Sequence, residues 1–228
     1  MPGLHPRPRQ GYGVAMATTT RRPPATAAPP ARLTYTGDDE ADRLLAADPT
    51  AMLIGFVLDQ QVTVQHAFHG PLELRRRIGT LDPGAIARMD PGRLAAAFAQ
   101  RPAIHRFPAA MAQRVQALCA LIVDEYGGDA SRLWTEAGSG EELWRRLSAL
   151  PGFGPMKART LVRLLSHQYG VHPPGYEAYL PGHPTLGDVT TVDELNAYQT
   201  AKRAHKAKLR AEAAAAGAAP SRGRGARR

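Results

Sequence analysis

Residues 150–158 read Leu150-Pro151-Gly152-Phe153-Gly154-Pro155-Met156-Lys157-Ala158. Leu143, Leu147 and Leu150 recur at helical spacing up to this stretch, with Arg145 and Arg146 on another face. Ala158, Leu161, Val162, Leu164 and Leu165 repeat the pattern beyond it. Gly152 and Gly154 permit a turn that residues with a β-carbon resist. Pro155 fits the first position of a new helix, where a missing N–H costs nothing. The stretch therefore predicts two helices joined by a tight turn, a helical hairpin over residues 141–169. The start of its second helix would present free backbone N–H groups, which grip a phosphate without reading sequence. The turn alone reads more simply as a helical corner closed by glycine. The whole nonapeptide, with helices on both sides, favours the phosphate-binding reading.

Outward from the hairpin nearly everything reads as helix. Asp38-Asp39-Glu40 opens a helix through Leu44 and Leu45, its acids at the positive end of the dipole. Pro49 starts another, with Met52, Leu53, Phe56 and Val57, expected to continue through Ala67. Asp82-Pro83 and Asp90-Pro91 read as caps followed by proline at the first helical position, for short helices over 83–89 and 91–98. Phe107 to Tyr126 carries an apolar stripe of Met111, Val115, Leu118 and Ile122 and ends at Gly127-Gly128. Residues 129–135 and 139–149 lead into the hairpin, whose second helix should end near Tyr169. Residues 172–189 form a Pro- and Gly-rich loop, and a last helix runs from about Val192 through Leu209. No strand pattern emerges, so the fold class is all-α. Residues 1–32 and 211–228 read as disordered basic tails around a folded domain over 33–210. Met16 is an alternative to Met1 as the start.

The net charge is +9, but residues 1–32 carry +5 and residues 202–228 carry +8, leaving 33–201 at −4. The basic balance thus belongs to the ends, where it adds salt-sensitive affinity for DNA or merely solubility. Any nucleic-acid site on the folded part must come from local positive groups. The single cysteine, Cys119, lies in an apolar helical run and reads as core. One thiol makes neither an intramolecular disulfide nor a four-cysteine iron–sulfur cluster. No apolar run is long enough for a bilayer, and no secretory h-region opens the chain. A cytoplasmic, nucleoid-associated protein without membrane contact is the expectation.

The hairpin, together with Ile54-Gly55-Phe56-Val57-Leu58-Asp59-Gln60-Gln61-Val62-Thr63-Val64, resembles the helix-hairpin-helix (HhH-GPD) DNA glycosylase superfamily. That is the fold of endonuclease III and 3-methyladenine glycosylase; within it the chain looks most like an actinobacterial branch described as base-excision-repair-like. The resemblance covers roughly residues 36–210. It implies a two-lobed helical bundle with the cleft between the lobes. It also implies a monomer acting on duplex DNA, which hydrolyses the N-glycosidic bond of a damaged base after flipping it from the stack. Gln61 looks like the residue that plugs the vacated space, with Gln60 beside it; a solvent-exposed pair at a helix end is the alternative. Gly152, Phe153, Gly154, Lys157 and Arg159 would hold the DNA backbone, with Arg163 adding local charge.

The family's catalytic aspartate follows the second hairpin helix, and here the usual distance falls near Pro174, which has no carboxylate. Asp188, after the Gly- and Pro-rich loop, is the first candidate and Glu177 the second. The competing reading of Asp188 is a turn or helix-capping aspartate. If neither carboxylate reaches the sugar, the protein is a non-catalytic DNA-binding module. A third alternative is a helical interaction protein whose hairpin binds nothing. Members that form a Schiff base carry a lysine where this chain has Met156. Lys157 is one residue later, about 100° around the helix, and so is expected to face phosphate or solvent. Monofunctional hydrolysis is therefore expected. Arg75-Arg76-Arg77 reads as a solvated basic face or a phosphate contact. Phe56, Phe68, Tyr126, Trp134 and Trp144 read as core, with one of them lining a base pocket as the alternative. His66, His69, His167 and His172 lack metal-ligand spacing, so no metal and no cofactor are expected, apart from a monovalent cation that the hairpin carbonyls can hold. Which lesion is recognised is not written in the sequence.

Overall fold

The structure, a computed structural model, describes residues 28–217, with side chains as far as residue 212. The tails expected over 1–32 and 211–228 lie largely outside the described residues. Among those residues every regular element is helical. α1 (Asp39–Ala47) is capped by Asp38, which accepts from Ala41 N. α2 (Pro49–Leu58) is capped by Asp48 and buried along its whole length but for Pro49. α3 (Val64–Ile78) follows, capped by Thr63. α4 (Pro83–Ala87) and α5 (Pro91–Ala99) begin at the Asp-Pro pairs, each Asp side chain accepting from the backbone three residues on. α6 (Pro108–Tyr126) ends at Gly127, and α7 (Arg132–Thr135) is a single turn. α8 (Gly140–Ser148) and α9 (Pro155–Tyr169) form the hairpin. Two 3₁₀ turns, Tyr176–Tyr179 and Leu186–Asp188, interrupt the loop expected over 172–189. α10 (Val192–Gly217) runs past residue 210, seven residues into the stretch assigned to the tail. The alanine-rich sequence there favours helix over coil.

One expected helix is broken in two. The helix begun at Pro49 was expected to reach Ala67, but it stops at Leu58. Gln61 takes a left-handed φ of +58°. Thr63 then accepts from His66 N and starts α3. A threonine that bonds forward to a backbone N–H offers the chain a helix start in competition with helix continuation.

The helices pack in two groups. α1 lies on α2 and α3; α2, α4 and α5 pack on α6, and α3 on α5. α9 packs against α8 and the 186–188 turn, and α8 against α7 and the 176–179 turn. Tyr35 Oη donates to Leu186 O at 2.9 Å and Tyr169 Oη to Ala46 O at 3.2 Å, joining the two groups. Both tyrosines are buried, so each bond also satisfies a polar group withdrawn from water. Phe56, Phe68, Tyr126 and Trp134 are core, as expected, while Trp144 is half-buried and stacks on Tyr179 at 5.5 Å. No helix among the described residues is long and apolar enough to cross a membrane.

Candidate functional site

The hairpin turn is closed by Phe153 N donating to Leu150 O at 3.0 Å. Gly152 sits at φ +82°, a conformation that costs a residue with a β-carbon about 1–2 kcal/mol. Gly154 does not: its φ of −118° and ψ of 174° are extended backbone open to any residue. The expectation that both glycines serve the turn therefore holds only for Gly152. Gly154 is instead the N-cap of α9, and a β-carbon there would meet nothing within 4 Å. The N-terminus of α9 has no side-chain cap. Its first amides, those of Met156 and Lys157 among them, have no acceptor within the helix and suit an external anion.

The glutamine turn is packed against this hairpin. A β-carbon on Gly152 would lie 3.5 Å from Gln60 Nε2 and 3.7 Å from Val57 Cγ1. Gln60 is held on three sides. Its Nε2 donates to Val57 O at 2.8 Å, and its Oε1 accepts from Arg114 Nη1 at 2.8 Å. Its carbonyl meets His105 Nε2 at 2.9 Å. Phe107 N donates to His105 Nδ1 at 3.1 Å, so the ring proton resides on Nε2 and is given to Gln60 O. Burial lowers the His105 pKa, which keeps the ring neutral in that role. Gln60 is thus a strut. Gln61, the next residue, is exposed in its left-handed conformation. Exposed Phe107 with Arg106 over its ring at 4.6 Å lies two residues from His105; the sequence reading did not single out this pair.

Lys157 does not face phosphate or solvent. Its Nζ donates to Phe56 O at 2.5 Å and to Gly152 O at 3.3 Å, pinning the hairpin to the end of α2. The rotation of one residue from Met156, expected to turn the side chain to phosphate or solvent, instead brings it inward onto the end of α2. Phe153 packs in the same joint, 6.1 Å from the Phe56 ring and 5.5 Å from Lys157 Nζ. Burial pushes the Lys157 pKa down to about 8; Asp59 opposes the shift, and Arg114 and Lys202 add to it. A monovalent cation at the hairpin would have to share Gly152 O with this group.

Beside the joint lies a cleft of about 930 Å³, lined by Asp59, Met156 and Lys157, by Thr185 to Val189 but for Gly187, and by Tyr198 and Lys202 of α10. Asp188 stands in its wall with both oxygens engaged. Oδ1 accepts from Arg163 Nε at 2.5 Å, and Oδ2 from Thr185 N at 2.8 Å and Thr185 Oγ1 at 3.2 Å. Burial works against the charge, but the Thr185 amide and the Arg163 guanidinium prevail, and the pKa is lowered. With Thr185 accepting from Gly187 N, this is a capping box, the role the sequence left as the alternative. The turn lies hard on α9: a β-carbon on Gly187 would come 2.6 Å from Thr160 O and 2.7 Å from Leu164 N.

The remaining expected residues are dispersed. Glu177 is exposed on the 176–179 turn and does not line the cleft. Arg159 Nη1 donates to Leu180 O at 3.0 Å and Ala178 O at 3.3 Å, so it braces the loop. Arg163 is committed to Asp188. Arg75 and Arg76 pair with Glu40, and Arg77, nearly buried, pairs with Glu73 and holds the carbonyls of Ala97, Gln100 and Pro102. The arginine run therefore ties α1, α3 and α5 together. Among the described residues no three His, Cys, Asp or Glu side chains are placed to share a metal ion.

The structure thus brings Gln60, Gly152, Phe153 and Lys157 into one joint, puts Asp188 in the adjoining cleft, and leaves Glu177 and Arg159 outside it. Comparison of the chain with family models, with curated proteins and with solved structures finds no match.

Proposed function

We propose that this chain is a DNA glycosylase-like protein of base excision repair, with the helix-hairpin-helix glycosylase fold. It binds duplex DNA as a monomer through the hairpin and hydrolyses the N-glycosidic bond of a flipped base. The observation that carries this reading is the joint itself. An uncapped helix N-terminus suited to phosphate, an exposed glutamine on a rigid turn, and a cleft of about 930 Å³ adjoin one another. Flipping requires all three: a grip on the backbone, a filler for the gap, and a place for the base. The exposed Phe107–Arg106 pair adds a surface on which an unstacked base can rest.

The test is incubation of the full chain with duplexes that each carry one lesion, read as alkali-dependent strand breaks, with binding measured in parallel. Excision on one of them supports the reading. Binding to abasic duplex without excision of any base supports the non-catalytic alternative, which the full engagement of Asp188 favours. Absence of binding refutes both. A second chemical reading follows from Lys157, an amine in the cleft with its pKa lowered to about 8, which forms an imine with an opened sugar more readily than an ordinary lysine. Borohydride trapping on abasic duplex decides between hydrolysis and imine formation.

A further inference from the structure

Asp59 is the cleft residue whose carboxylate oxygens meet no hydrogen-bond donor among the described residues, although its charge offsets part of the burial of the Lys157 ammonium. It is the C-cap of α2, where the helix dipole is negative and a carboxylate is disfavoured. Its side chain is only 18% exposed. Among the described residues its nearest countercharge is Lys202 Nζ at 3.9 Å, too far for a hydrogen bond, and that lysine is 53% exposed on α10. α10 is itself lightly attached. Leu195 is buried and Tyr198 and Gln199 are partly so, but the residues from 200 to 212 are exposed. Asp188 presents the opposite case, with both oxygens bonded and its charge already answered by Arg163. A carboxylate that lines the cleft with open lone pairs, 3.9 Å from an exposed ammonium, is an acceptor left for a ligand.

We propose that Asp59, and not Asp188, is the carboxylate that faces the sugar of a nucleotide held in the cleft. The inference rests on the DNA reading above. In the step it serves, the bond from C1′ to the base nitrogen breaks and its electron pair leaves on the base. Positive charge develops on the sugar, and the Asp59 carboxylate stabilises it. Water adds to C1′, its proton passes to Asp59, and the departed base takes a proton from solvent. Asp188 instead positions the 185–189 wall.

A duplex with a cationic pyrrolidine in place of one nucleotide mimics the charged sugar, and one with a neutral tetrahydrofuran mimics its shape alone. With the full chain, the cationic duplex should bind at least about tenfold more tightly than the neutral one, given what a single electrostatic contact of this kind contributes. Asp59→Asn should abolish that ratio, leave affinity for the neutral duplex within about twofold, and change the melting temperature little, since a carboxylate disfavoured at that end of a helix and a countercharge to Lys157 are lost together. Asp188→Asn should lower the melting temperature and weaken both duplexes together without changing their ratio. Equal binding of the two duplexes by the unaltered chain overturns the assignment. So does a preserved ratio in Asp59→Asn, or an equal loss on both duplexes. Failure to bind either duplex refutes the DNA reading itself.

Discussion

Lys157 gives the hairpin joint a signature in the pH dependence of stability. In the unfolded chain the amine titrates at its ordinary 10.5, and in the fold at about 8, because burial opposes its charge. At about 1.4 kcal/mol per unit, the fold forgoes on the order of 3 kcal/mol below pH 8. The folded pKa is the lower one, so the unfolded chain holds more protons between about pH 8 and pH 10.5 and stability rises with pH through that window. The rise begins near neutrality and amounts to about 1 kcal/mol between pH 7 and pH 9. Cys119 acts in the opposite sense. Its pKa is raised by burial from 9.0 to about 12, so it costs stability as pH climbs from about 9. The measurement therefore stops near pH 9 and is made as a difference. Urea unfolding of the unaltered chain and of Lys157→Met, followed by circular dichroism, should show the midpoint rising by about half a molar in the former, for a slope of about 2 kcal/mol per molar. In the variant that rise should be absent. The same rise in both proteins would mean that the amine is solvated and that the hairpin is not pinned to Phe56 O.

Other substitutions probe neighbouring parts. Gly152→Ala, forced to φ +82°, should destabilise by about 1–2 kcal/mol and weaken duplex binding, whereas Gly154→Ala should leave the melting temperature nearly unchanged. Gln61→Gly relieves a left-handed conformation while adding unfolded-chain entropy, so stability should stay within about 1 kcal/mol; its affinity for abasic duplex should fall more than that for intact duplex, and equal losses would return Gln61 to an ordinary surface role. Asp188→Asn removes charge from a half-exposed pair and cap and should cost about 1–2 kcal/mol after allowance for solvent screening. Because the Asp188 pKa is lowered in the fold, its contribution is present above the ordinary aspartate range and is lost as pH falls through the folded value, so the variant and the unaltered chain should converge in stability in acid.

Much of the helical layout was legible because the chain announces its helix starts. Asp38, Asp82, Asp90 and Ser139 each accept a backbone N–H at a helix N-terminus, and proline follows the two caps that the sequence named as Asp-Pro pairs. The break between α2 and α3 was not legible in the hydrophobic pattern; only the resemblance implied a turn at the glutamines. Apolar residues continue through it at helical spacing, and the positive φ of Gln61 has no counterpart in residue type, since glutamine does not favour that region. The hairpin and the glutamine turn were each visible, but their contact was not: Lys157 and Phe56 are 101 residues apart. The Thr185-to-Asp188 spacing is a capping signature that could have assigned Asp188 its structural role, whereas its Arg163 partner lies 25 residues away. Asp59 was passed over as part of a motif. Its one signal was an acid directly after an apolar helix, at the end where the dipole disfavours it.

The joint differs from the rest of the molecule in what it costs. Elsewhere several charged groups set into the packing are answered. Arg77 is tied to a carboxylate and three carbonyls, Arg146 to Glu142 and neighbouring carbonyls, and Asp42 to Tyr35 N, Thr36 N and Thr36 Oγ1. At the joint the sign reverses. Gln61 holds a left-handed backbone, Lys157 keeps an amine where its charge is penalised, Asp59 sits at the negative end of a helix, and α9 begins without a side-chain cap. Each of these is a position where a single substitution is of a kind that commonly stabilises. Local violations gathered in one place are what a binding surface requires and a plain corner does not. The same reasoning separates the two carboxylates of the cleft: neutralising Asp188 should cost stability and neutralising Asp59 little, so a melting temperature of Asp59→Asn close to that of the unaltered chain, alongside a lost preference for the cationic duplex, is the outcome that a functional carboxylate produces.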